Sequence, residues 1–191
     1  MNNSIRNIVC CLTAVILLAT TSGCDWMFPL TSPSRATVDK QLLGYWKLPH
    51  PTKDEFAIYA VSECAKETRF AGLPGFPRGA MFANWLELNT QPYAEDVNGP
   101  YVIWPTQIGS TTYLNITRYD MERKKIATGS TAYQIMKYKI TGDSLTLYSL
   151  TEDAKKRIKS RLGSSYNSAD LLQEITKATE WEKGPPATRI R

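Results

Sequence analysis

Four cysteines and one histidine are the side chains of this 191-residue chain best suited to act as nucleophile, base or soft metal ligand. The cysteines are Cys10, Cys11, Cys24 and Cys64, and the histidine is His50, held between Pro49 and Pro51. Catalysis by a Ser-His-Asp or Cys-His set needs an imidazole fixed beside its nucleophile. A histidine in a proline-flanked turn reads as a surface residue instead. Zinc sites of the usual kind want three or four His and Cys ligands, which these residues do not supply. No glycine-rich loop runs into Lys-Ser or Lys-Thr, so there is no phosphate cradle. Glu87, Asp120 and Glu122 could face one another for general acid–base work, but solvated charges at strand ends are the simpler account. Lys159-Ser160 lies on an exposed helical face, with nothing to bury the lysine and lower its pKa. No catalytic residue, metal site or cofactor is assigned, and the chain reads as a non-enzyme.

Cys24 stands apart by its setting. Asn2, Asn3 and Arg6 precede an uncharged, mostly apolar run from Ile8 to Ala19. A secretory h-region needs about 7–15 such residues, whereas a membrane span needs about 20. Thr21-Ser22-Gly23-Cys24 then closes the run and resembles the lipobox of bacterial lipoproteins, departing from it at Thr21, where an aliphatic residue is usual. The resemblance implies cleavage before Cys24, acylation of that residue, and a periplasm-facing protein anchored to the bacterial cell membrane. The alternative is an ordinary secretory signal cut elsewhere. Asp25 resembles the inner-membrane retention signal of enterobacterial lipoproteins, although an outer-membrane address stays open.

Loss of residues 1–23 removes only Arg6 from the 23 basic residues and none of the 18 acidic ones. A slightly basic domain of single-core size remains. In that compartment anionic lipid is a more natural partner than nucleic acid. Cys64 becomes the one unmodified thiol, reading as a small buried hydrophobe without an internal disulfide partner.

Residues 24–40, with Pro29, Thr31, Ser32, Pro33 and Ser34, read as a lipidated tether, and a single β-rich domain as spanning 41–191. Alternating or β-branched and aromatic residues predict strands over 42–48, 56–61, 82–89, 101–104, 112–119, 131–140 and 144–150, although Asp54 and Glu55 ahead of the second would also suit a helix start. Gly109-Ser110 and Thr141-Gly142-Asp143 read as hairpin turns. Thr151, Glu152 and Asp153 then open a helix with Ala154, Ile158 and Leu162 on one face and Gly163 as its stop. A second helix starts near Ser168, carries Leu171, Leu172, Ile175 and Ala178, and runs to Gly184-Pro185-Pro186, leaving a short basic tail. The fold class is mainly β (α+β): an antiparallel barrel or sandwich followed by two C-terminal helices.

Leu43-Gly44-Tyr45-Trp46 is similar to the Gly-x-Trp opening of lipocalin-like barrels, and the hairpin from Tyr138 to Leu147 resembles the end of small envelope proteins of that type. The resemblance covers roughly residues 41–160 and implies a barrel rather than an activity. Trp46, Trp85 and Trp104 could line an apolar ligand pocket in it, or simply fill its core. Lys155, Lys156, Arg157, Lys159 and Arg161 surround the polar arc of the first helix and could rest on anionic lipid, or face solvent. The reading is a membrane-anchored binding module for a small apolar ligand or an envelope protein. The alternatives are an inhibitor or immunity-type protein blocking an envelope-directed enzyme and, behind it, a hydrolase.

Overall fold

The computed structural model describes residues 26–49, 56–63, 79–87, 101–120, 123, 125–127 and 132–190. Eight antiparallel strands close into a barrel: β1 (Gly44–Pro49), β2 (Phe56–Glu63), β3 (Met81–Glu87), β4 (Tyr101–Ile108), β5 (Thr111–Asp120), β7 (Tyr133–Thr141), β8 (Ser144–Leu150) and β10 (Ala187–Ile190). Neighbours in the ring follow one another along the chain. β10 closes it by pairing with β1 on one side and β8 on the other. Two short strands lie off the ring, β6 (Lys125–Ile126) on β5 and β9 (Trp181–Lys183) on β8. Closure decides between the barrel and the sandwich that the sequence left open.

The hairpin turns fall where the glycines allow them. Ile108 pairs with Thr111 and Thr141 with Ser144, so each loop has two residues, with Gly109 and Gly142 at φ +58°. Glycine adopts that left-handed geometry without the steric cost other residues meet. β4 continues four residues beyond the expected 101–104, through Pro105. β3 pairs only with residues 101–103 of it, so Pro105 sits where β4 has a single partner and a missing N–H is tolerated.

Two helices follow β8. α1 (Glu152–Leu162) is capped by Thr151, whose Oγ1 accepts from Ala154 N at 3.2 Å, and Gly163 ends it at φ +69°. α2 (Ser168–Lys177) opens with a capping box between Asn167 and Asp170. It stops at Lys177, several residues short of the expected Gly184. The stretch expected to be helix end and tail turns back as β9 and β10, because Trp181 and Ala187–Ile190 find strand partners on the barrel.

Side chains alternate across the wall, so there are two cores. The interior is packed by Trp46 and Leu48, Val61, Met81, Ile103, Leu114, Tyr138, Leu145 and Ala187, all buried. An eight-stranded barrel is just wide enough for such filling. The second core lies outside the wall, where Phe82, Val102, Trp104, Tyr113, Tyr133 and Ile135 meet Ile158 of α1 and Leu171 and Ile175 of α2. Each of these aliphatic side chains contributes about 1.5–3 kcal/mol by leaving water.

The expected tether is folded. Trp26 is 0% exposed and Leu30 is buried in the outer core. Trp26 and Tyr133 exchange both backbone hydrogen bonds at 2.9 Å. The segment then crosses β5, β4 and the chain ahead of β3 as a strap. Leu30 N donates to Asn115 Oδ1 at 2.8 Å, Trp104 Nε1 donates to Thr31 O at 3.1 Å, and Ala36 lies hard against Gly79. The domain boundary therefore moves from Gln41 to Trp26. Trp26, Phe28 and Leu30 give the segment apolar surface worth burying, which its prolines and serines mask in composition.

Candidate functional site

Trp46 and Trp104 do not share a pocket. Trp46 points into the barrel and Trp104 packs outside it beneath the strap, each 0% exposed. Trp85 lies on β3 opposite Tyr59, and its side chain is outside the described residues.

The barrel end at Trp46 is sealed by the chain that leads into β1. Trp46 Nε1 donates to Leu42 O at 2.8 Å. Arg189 lays its guanidinium over the Trp46 ring, 4.2 Å from the centroid, and donates to Leu43 O at 2.6 Å and to Gln41 O. Beneath this lid Tyr138 donates to Asp39 Oδ2 at 2.6 Å. Burial, and then that hydrogen bond, push the Tyr138 phenol above its ordinary value.

The five cations of α1 do not form one free basic face. Lys155 is only 8% exposed and its ammonium reaches Glu152 at 2.8 Å, so it cannot face a membrane. That hydrogen bond, ahead of the surrounding charges, lowers the Glu152 pKa. Lys156 stands 3.9 Å from Asp153, Arg157 pairs with Glu180, and Arg161 Nε lies 3.1 Å from Glu174. Lys159 Nζ sits 5.6 Å from the Trp26 ring centroid, a cation–π contact. A cleft of about 240 Å³ opens between Arg157, Arg161, Lys177 and Glu180. It is below the size of an ordinary ligand pocket, and carboxylates already answer its cations.

Two arrangements escaped the sequence. Lys137 Nζ lies 4.1 Å from the Trp181 ring centroid and 5.7 Å from that of Tyr113, and burial lowers its pKa. The rings come from β9 and β5, so no local spacing could have signalled them. On the opposite wall Tyr45 of β1 pairs with Ile190 of β10, and these are the large hydrophobics most exposed among the described residues, at 55% and 39%.

Cys24, Asp25, His50, Cys64 and Glu122 lie outside the described residues, as does the side chain of Glu87. Asp120 caps the turn after β5, accepting from Arg123 N at 2.9 Å. Among the described residues no three His, Cys, Asp or Glu side chains gather to hold a metal, and no helix is long and apolar enough to cross a membrane. Comparison with protein-family models, curated proteins and solved structures found no match.

Proposed function

We propose that the chain is a lipid-anchored protein of the bacterial envelope with a lipocalin-like barrel that binds a protein partner on its outer wall and catalyses no reaction. Thr21-Ser22-Gly23-Cys24 and the apolar run before it support the anchor. One observation carries the choice of partner over small ligand: the barrel end at Trp46 is lidded by residues 39–43 and Arg189, and the described interior is packed with side chains. Binding is thereby directed to the surface, where Tyr45 and Ile190 stand side by side. Exposed aromatic and aliphatic anchors of this kind are what protein interfaces desolvate. An envelope-directed enzyme held inactive is one form such a partner can take.

Two measurements test the reading. Metabolic labelling with an alkyne palmitate should mark the wild-type chain and not Cys24→Ala, which should also lose its membrane association. Pull-down from envelope extract should recover a partner with wild type and with Lys139→Glu. Tyr45→Glu and Ile190→Glu should lose it while keeping their unfolding midpoints. Equal recovery by all four proteins removes the β1–β10 face from the reading.

A further inference from the structure

Acylation of Cys24, a premise shared with the proposed anchor, has a geometric consequence because the fold begins so soon after it. Consecutive Cα atoms are about 3.8 Å apart, so Cys24 lies within about 8 Å of Trp26 in any conformation. Trp26 is itself fixed: 0% exposed and bonded to Tyr133 in both directions. A flexible tether over residues 24–40 would have spanned about 20–25 Å and let the domain turn freely on the membrane. Two residues allow no such freedom.

We infer that the bilayer itself is the docking partner of the barrel wall around Trp26, the surface carrying Met27, Phe28, Tyr166 and Lys159. Met27 N donates to the Tyr166 hydroxyl at 2.9 Å, and the Phe28 ring stands edge-on to Tyr166 with centroids 5.6 Å apart. Met27, Phe28 and Tyr166 are half-buried and Lys159 is exposed. A tyrosine with a polar tip, a phenylalanine ring and a methionine beside it, and a lysine whose ammonium lies over the Trp26 ring, suit the boundary between lipid headgroup and acyl chain. Charge plays the minor part, because Lys155, Lys156, Arg157 and Arg161 already face carboxylates. The covalent anchor does the rest by holding this wall at high effective concentration against lipid. Trp26 sits beside β7, three strands round the ring from β1, so docking leaves Tyr45 off the membrane-facing wall and open to a partner.

The test uses the acylated full-length protein in vesicles of phosphatidylethanolamine and phosphatidylglycerol. A membrane-impermeant amine reagent is applied and each lysine is read by mass spectrometry. The comparison is a variant with a Gly-Ser insert of about 12 residues between Asp25 and Trp26, long enough to release the domain. Lys159 should label severalfold more slowly in the wild type than in the insert variant. Lys47, exposed on β1, should label equally in both and so report an intact barrel. Equal labelling of Lys159 in two acylated proteins overturns the docking and leaves the anchor standing. An N-terminal peptide without acyl mass on Cys24 overturns both.

Discussion

The backbone N–H of Leu30 donates to the side-chain oxygen of Asn115 at 2.8 Å, although 85 positions of chain separate them. Asn115 is 0% exposed and uses its amide nitrogen as well, donating to Trp104 O at 3.1 Å and to Thr106 Oγ1 at 2.8 Å. One side chain thus fastens the strap to two strands of the wall.

Asn115→Ala is expected to lower stability by at least about 1–3 kcal/mol, since it leaves the Leu30 N–H buried without its acceptor. Urea denaturation followed by tryptophan fluorescence measures this. An unchanged midpoint would mean that the strap does not contribute to folding.

Trp26→Ala and Trp46→Ala should each cost about 3–5 kcal/mol, because both rings are wholly buried. That is a large part of a domain's total of about 5–15 kcal/mol. A midpoint for Trp26→Ala equal to wild type, beside a large loss for Trp46→Ala, would return residues 26–40 to the status of a tether.

Gly79→Ala places a methyl group 1.7 Å from the Ala36 carbonyl oxygen, so strap or wall must move. Gly109→Ala meets nothing within 4 Å and bears only the backbone strain of φ +58°, about 1–2 kcal/mol. The Gly79 variant should be the less stable of the two, and its strap the more readily cut by protease.

Tyr138→Phe removes a hydrogen bond to a carboxylate and should cost about 1.5–3 kcal/mol near neutral pH. Burial and the bond to Asp39 raise the folded phenol above its ordinary 10.0. Its protonated form therefore adds stability that is complete below about pH 10 and fades as pH rises further. Tyr113 and Tyr119 are raised as well but are present in both proteins. The stability gap between wild type and Tyr138→Phe should stay level to about pH 9 and narrow above pH 10. A gap independent of pH would separate the phenol from the lid.

Local pattern carried much of the wall. The alternation in 144–150, the two glycine turns and the apolar face of Ala154, Ile158 and Leu162 are all set by neighbours a few residues apart. The strap was read as a tether because its prolines and serines resemble linker composition, while the buried partners of Trp26 and Leu30 lie on β5 and β7. The final strands were hidden for the same reason. Gly184-Pro185-Pro186 breaks a helix, and nothing nearby reveals that Ala187–Ile190 meets strands from distant parts of the chain. Arg157 and Arg161 of α1 looked free because their carboxylates, Glu180 and Glu174, come from the turn after α2 and from α2 itself, whereas Lys155 and Lys156 meet Glu152 and Asp153 one turn away in α1.

The ring also sets an order of events. β1 has β2 close at hand, but its other edge waits for residues 187–190, some 140 positions later. While a ribosome is still making that intervening stretch, β1 and β8 both present open edges, and no fragment ending before Ala187 can close them. Joining ends so far apart is slow, and the sheet stays open until they meet. The latest-arriving strand therefore acts as a clock, postponing a finished barrel until residues 187–190 have been made.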